Sequence, residues 1–348
     1  MTLDRSQVEK LLVAQWSELL DLDVRADENV FDLGAYSLLV VDVVKRLRDA
    51  GVEVKAMDVF DHPAPAELAQ HLCADEPQPT SPTDDLVGRV WRESIDPTDP
   101  AAPAALVPII ADGTREPLYC VPMGTGHAQF FGTIAENFRQ GRPVYGFQDR
   151  GRTAKVRPFL SIRDMAANYV QELRAFQPQG PYHLAGFCSG AVVAQEMARI
   201  LTESGEDVPT LVMAGPSGDY PEMDPGLGLT ELVEFQLGTV RNKLGRDLTD
   251  LDSVVRDLAE LRWFEDGLPA ADFYRRMVLF AGALFAQEHH TPQHYAGPAV
   301  VCMYAHEDVR SYWAPLLPAA TIMQVAAITT LDLLREPALA AEFSRLLA

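Results

Sequence analysis

Basic residues are scarce in this chain: 29 Lys and Arg stand against 50 Asp and Glu, a formal net charge of −21. Nucleic acids are bound through clustered positive charge, so this balance argues against that class of partner. Long apolar runs are missing too. No stretch reaches the roughly 20 residues that cross a bilayer, and the N-terminal MTLDRSQVEK does not have the pattern of a signal peptide. Neither a membrane partner nor export is therefore expected. Cysteine is sparse, at positions 73, 120, 188 and 302, with neither metal-ligand spacing nor the density of a disulfide scaffold. The expectation is no metal site and a reducing, cytoplasmic setting.

What is present is an ordinary globular composition, 47% hydrophobic and 23% charged over 348 residues, enough for two domains and a sizeable core. Val8, Leu11, Leu12, Trp16, Leu19 and Leu20 recur at helical spacing and predict an amphipathic helix over 4–20. A second helix is predicted from Leu38 to Ala50, and Pro63 and Pro65 bracket the start of a short one ending near Cys73. Residues 1–76 thus read as a small acidic helical bundle, too small to be an obvious enzyme. A Pro/Ala/Asp/Thr-rich stretch over 77–103 reads as a linker.

From about residue 104 short apolar runs alternate with amphipathic helices, as in a largely parallel sheet covered on both faces. Strands are predicted at 106–110, 118–121, 143–147, 182–185, 210–214, 299–305 and 321–325, with helices beginning at Ser161 and Pro337. The Leu-rich helical segment 217–295 interrupts this alternation after a central strand, which suggests a lid.

The chain is organised around Gly186-Phe187-Cys188-Ser189-Gly190, set between an apolar strand and a helix carrying Val193, Met197, Ile200 and Leu201. Small residues on both sides of a central nucleophile resemble the elbow of α/β-hydrolases, where a sharp turn lifts one side chain above the sheet. Here the central residue is cysteine. Its thiolate is a stronger nucleophile than a hydroxyl, and a helix N-terminus favours the anion. The alternative is a small buried apolar cysteine between strand and helix.

Two further resemblances carry the functional expectation. Phe31-Asp32-Leu33-Gly34-Ala35-Tyr36-Ser37-Leu38-Leu39, with the later VFDHPAPAELAQHL, resembles peptidyl and acyl carrier domains, whose serine bears a 4'-phosphopantetheine arm. That resemblance implies a four-helix bundle, attachment at Ser37 and a phosphopantetheinyl transferase as partner. Ala35 departs from the motif's second glycine, and Ser37 as a simple helix cap is the plainer alternative. The run FQPQGPYHLAGFCSGAVVAQEMA, with LVPIIADGTREPLYCVP and LLREPALAAEF, is similar to type I thioesterase domains of nonribosomal peptide and polyketide assembly lines. It implies an α/β-hydrolase fold over 104–348, a mostly parallel sheet with a helical lid, and upstream adenylation or condensation proteins as partners.

The departures matter more. Where such domains keep the triad acid this chain has Gly215, and where they keep the histidine it has Thr330. Asp308 and His306 are candidate substitutes after a late strand, as is His127 after an early one; His289, His290 and His294 are weaker candidates, and solvated surface roles compete for all of them. Backbone N–H groups of Ser189 and of Met123 or Gly124 are the expected oxyanion donors. With the histidine lost, activation of water should suffer most, whereas thioester exchange needs only a thiolate and an oxyanion hole, so the expectation is acyl or aminoacyl transfer through Cys188 to an amine, alcohol or thiol. The alternatives are an inactive domain that presents a carrier-bound intermediate, or hydrolysis with a relocated base.

Overall fold

The computed structural model describes residues 4–35, 37–73, 83–124, 126–133, 139, 141–216, 227–261, 263–264, 266–305, 309–327 and 330–347. The chain divides into two compact units, one comprising 1–89, 220–260 and 267–281, the other 90–219, 261–266 and 282–348.

The chain begins with four helices. Asp4 opens α1 (Arg5–Leu20) by accepting from the Gln7 N–H at 2.9 Å, while the Gln7 side chain accepts from the Asp4 N–H at 2.9 Å, so two orphan donors are satisfied reciprocally. Val8, Leu12 and Trp16 form its buried stripe. In α2 (Ser37–Asp49), Val40, Val43, Val44 and Leu47 are buried at helical spacing. A short helix, α3 (Ala56–Asp61), was not located by the apolar periodicity; Asp58 starts it by accepting from the Lys55 N–H at 2.7 Å. Pro65, whose missing N–H costs nothing at a first helical turn, starts α4 (Pro65–Leu72). The stretch read as linker holds a further helix, α5 (Asp84–Glu93), with Leu86 and Val90 buried. Its flanking Pro- and Asp-rich sequence masked that periodicity.

The sheet contains β1 (Leu106–Ile110), β2 (Leu118–Val121), β3 (Val144–Phe147), β4 (His183–Phe187), β5 (Thr210–Ala214), β6 (Ala299–Met303) and β7 (Ala320–Gln324), in the order β1-β3-β2-β4-β5-β6-β7. Only the β1–β3 pair is antiparallel. Between β3 and β4 runs α6 (Ile162–Phe176), and α7 (Ser189–Glu203) follows β4. After β5 come α8 (Leu229–Leu244), α9 (Leu251–Glu260) and α10 (Phe273–Glu288), three helices joined by loops within the interruption over 217–295. The chain closes with α11 (Arg310–Leu316), α12 (Thr330–Arg335) and α13 (Pro337–Leu346).

Central strands are buried along both faces, which is why they read as continuous apolar runs instead of alternating ones. Tyr119, Leu184, Leu211, Met213 and Val301 face one cluster, which includes residues of α6 and α7. Their neighbours Cys120, Ala185, Phe187, Val212 and Cys302 face the other, closed by Leu333, Leu339 and Phe343. None of the described helices is long and apolar enough to cross a membrane.

Candidate active site

After β2 the chain crosses to β3 on one side, and β4 then returns to β2's other side. The carboxyl ends of β2 and β4 therefore flank a topological switch point, the crevice where open α/β sheets bind ligands. Val121 pairs with Gly186 at that end of the two strands.

Cys188 lies between β4 and α7 with φ 53° and ψ −126°. A side chain in that backbone region is strained, by about 1–3 kcal/mol. The surroundings hold it there: the Cys188 N–H donates to the Ala214 carbonyl at 2.8 Å, and the Cys188 carbonyl accepts from the Ala191 N–H at 2.9 Å. Close packing explains the flanking glycines. A Cβ on Gly186 would stand 2.2 Å from the Gly190 carbonyl oxygen, and one on Gly190 would stand 2.1 Å from that of Pro122. The turn therefore depends on both glycines and lies directly against the loop after β2. Cys188 is half-buried, whereas Cys120 and Cys302 are buried. Burial pushes the Cys302 thiol up to about 12 and also raises that of Cys120, so both are inert as nucleophiles.

Ser189, Met123 and Gly124 line one small cavity of about 30 Å³, together with Gly126, Met165 and Tyr169. The structure thus brings the predicted oxyanion donors into one crevice. The Gly126 N–H donates to the Met123 carbonyl at 2.8 Å in the loop after β2. His127, half-buried, follows in the same loop.

Gly215 is buried at φ +62°, and its N–H donates to the Cys302 carbonyl at 2.7 Å. A Cβ there would meet both Cζ and Oη of Tyr304 at 2.5 Å. The phenol head occupies the space where a side chain at position 215 would begin, so there is no room for a carboxylate. Sequence inspection missed Tyr304 because one aromatic at the end of an apolar strand looks like core. Thr330 opens α12. His306 and Asp308 lie outside the described residues. His289 is exposed and stacked on Phe285, with ring centroids 3.9 Å apart; His290 is half-buried, and burial lowers its pKa; His294 is exposed. Among the described residues no cluster of His, Cys, Asp and Glu is placed to hold a metal ion.

In the helical unit, Gly34 takes φ +107°, a backbone that favours glycine, just before α2. Ser37 is the first residue of that helix. A helix N-terminus suits a phosphate, because unpaired N–H groups and the macrodipole both face an anion there, so the position fits a phosphodiester attachment.

A mostly parallel seven-stranded sheet with a strand-turn-helix elbow defines the α/β-hydrolase-like class. Residues 116–254 match the thioesterase domain family, and residues 10–72 match the phosphopantetheine attachment site. The chain is a phosphopantetheine-attachment domain fused to a thioesterase domain, as in synthetases of the nonribosomal-peptide type, and its cofactor is carried on a serine. It is 34% identical to malpinin synthetase of Mortierella alpina over 223 residues, 64% of this chain and 3% of that protein. It is 29% identical to an inactive atromentin synthetase of Paxillus involutus over 270 residues, 75% of this chain and 26% of that protein. Its fold is similar to that of a four-domain nonribosomal peptide synthetase bound to AMP and glycine, with a TM-score of 0.56, 20% identity, 99% of this chain covered and 26% of that one. The chain therefore spans only a small part of these relatives.

Proposed function

We propose that this chain moves an acyl or aminoacyl group from a carrier-borne thioester onto Cys188, then to an amine, alcohol or thiol acceptor. The carrier is residues 1–76 with attachment at Ser37, the linker is 77–103, and the thioesterase-like domain is 104–348, whose insertion over about 217–295 selects the acyl group. The phosphopantetheine arm, installed on Ser37 by a phosphopantetheinyl transferase, supplies the thiol that bears the acyl group as a thioester. Upstream adenylation or condensation proteins supply that group.

The Cys188 sulfur attacks the thioester carbonyl, forming a new C–S bond, and the N–H groups of Ser189 and of Met123 or Gly124 hold the oxyanion. As the intermediate collapses the old C–S bond breaks, and the departing thiolate takes up the proton that the Cys188 thiol released. Thioester exchanges for thioester, so the step needs little driving force. The acceptor then attacks the acyl-Cys188 carbonyl, its new bond to the acyl carbon replacing the C–S bond, and the departing Cys188 thiolate takes up the proton the acceptor loses.

The observation that supports this reading is the phenol of Tyr304 against Gly215, the position where the resemblance to thioesterase domains puts the triad acid, beside a strand-turn-helix elbow with Cys188 in the turn. A general base for water is typically worth about 10² to 10⁴ in rate. Without the usual acid and histidine positions, hydrolysis suffers most, while thiolate attack needs little more than the oxyanion hole. The test is peptide mass spectrometry after loading Ser37 with an acyl-pantetheine. An acyl adduct on the Cys188 peptide under quenched conditions is expected, and its absence counts against transfer.

Tyr304 packed against Gly215 also accommodates a second reading, an inactive domain that binds and presents the carrier-borne intermediate. Pathway turnover with Cys188→Ala separates the two: turnover is lost under transfer and unchanged under presentation.

A further inference from the structure

We infer that one face of α8 is the dock that holds the phosphopantetheine-attachment domain in cis, with Gly238 as a notch for Phe60. Its catalytic consequence rests on the transfer reading above, but the docking itself does not.

Glu231, Phe235, Gly238 and Arg241 follow one another at intervals of four, three and three along α8, so they share a face. Glycine in a helix interior weakens the helix relative to alanine. No left-handed backbone requires one at 238. Space does: a Cβ at 238 would stand 2.4 Å from Phe60 Cδ2 and 2.6 Å from its Cγ. The Phe60 ring, at the end of α3, stacks on Phe31 with centroids 5.2 Å apart and meets Phe235 edge-on at 6.0 Å. The helix has given up a side chain to admit an aromatic ring.

Charge pairs bracket the notch. Arg48 Nη2 donates to Glu231 Oε1 at 2.8 Å toward one end of α8, and Arg241 Nη1 donates to Asp61 Oδ1 at 2.8 Å toward the other. Glu231 Oε2 also accepts from the Gly228 N–H at 2.9 Å, so its carboxylate is held at both oxygens. On the attachment domain the order is cation then anion, and on α8 it is anion then cation. A domain presented the other way round would set like charges against each other, so the pairs specify orientation. On the same helix, the buried Glu234 accepts from the Thr83 hydroxyl at 2.5 Å.

Beside the wedge lies an open surface pocket of about 340 Å³, lined by Phe31, Phe60, Arg241 and Asn242 among others. The partner the α8 face accepts is a carrier presenting an aromatic followed by an acid at the end of its third helix.

The docking is tested first without chemistry. In a Cys73→Ser, Cys188→Ala background carrying Asp61→Cys and Arg241→Cys, a short bis-maleimide should cross-link the two positions, and Gly238→Leu should reduce the yield at least about fivefold. Phe60→Ala, which removes the wedge instead of filling the notch, should do the same. In the holo protein, Gly238→Leu, Arg48→Glu and Glu231→Arg should each slow transfer from loaded Ser37 to Cys188 by about tenfold or more, and Arg48→Glu with Glu231→Arg should restore most of it. Acylation of Cys188 by an acyl N-acetylcysteamine thioester, which needs no carrier, should change less than about twofold in these variants. A cross-link yield indifferent to both Gly238→Leu and Phe60→Ala overturns the inference, as does failure of the charge swap to restore transfer. If neither donor acylates Cys188 in the unaltered protein, the transfer reading falls while the cross-link still decides the docking.

Discussion

Replacing Gly215 with alanine probes the site more sharply than replacing the nucleophile. Two independent costs arise at that position. A non-glycine residue in the left-handed region costs about 1–2 kcal/mol, and Gly215 sits at φ +62°. The added methyl would stand 2.5 Å from Tyr304 Cζ and Oη, and forcing such an overlap costs about 1–3 kcal/mol. The sum is about 2–5 kcal/mol. At about 2–4 °C per kcal/mol for domains of this size, melting should fall by about 5–15 °C in differential scanning fluorimetry. Tyr304→Ala alone also destabilises, by about 3–5 kcal/mol, because it leaves a cavity. The double variant lacks the overlap, so its loss should be smaller than the sum of the two by about 1–3 kcal/mol. Melting of Gly215→Ala within about 1 °C of the unaltered protein, or an additive double variant, would refute the claim that Tyr304 fills the acid's place. The same geometry bears on repairing the triad: Gly215→Asp with Thr330→His should raise hydrolysis only when Tyr304 is also made small, and a gain with Tyr304 intact would sink that expectation.

Gly190→Ala should destabilise by about 3 kcal/mol or more, because its methyl would stand 2.1 Å from the Pro122 carbonyl oxygen, backbone that cannot swing aside; a urea midpoint close to that of the unaltered protein would contradict this. Cys188→Gly should abolish acyl adducts yet raise stability by about 1 kcal/mol, since φ 53° with a side chain is strained; a lower melting temperature would count against strain at the elbow. His183 donates through Nδ1 to the Thr210 hydroxyl at 2.9 Å, the hydroxyl proton being directed to the Leu346 carbonyl at 3.2 Å. Burial lowers its pKa to about 4, from 6.5 when unfolded. Between those values the unfolded chain binds the extra proton, so stability is full above about pH 6.5 and falls by up to about 3 kcal/mol as pH drops to 4. His183→Asn should flatten that slope in urea titrations across this window, and an unchanged slope would show that other groups cause it.

Local pattern alone was enough for most of the architecture. Helices such as α1 and α6 announce themselves because apolar residues recur on one side and a capping residue precedes them. The strands are legible as short apolar runs because the sheet is covered on both faces. The elbow could be read from five residues, since its glycines answer to overlaps within the turn and with the loop beside it. Short helices escaped: α3, α11 and α12 are only six or seven residues long, too short for a helical period to show, and α5 sits in a stretch whose prolines and aspartates suggested a linker.

From the sequence it was visible that position 215 holds a glycine, but not that Tyr304, 89 positions later, stands where a side chain at 215 would begin. Nothing in the sequence near Gly238 accounts for a glycine inside α8; Phe60, far earlier in the chain, lies where a side chain at 238 would begin. Periodicity and capping act over a few neighbouring residues, so the sequence by itself determined the longer amphipathic helices, the strands and the glycine-flanked turn at Cys188. Which side chain fills a space left by a glycine depends on atoms brought together across the fold, and only the tertiary structure decided that.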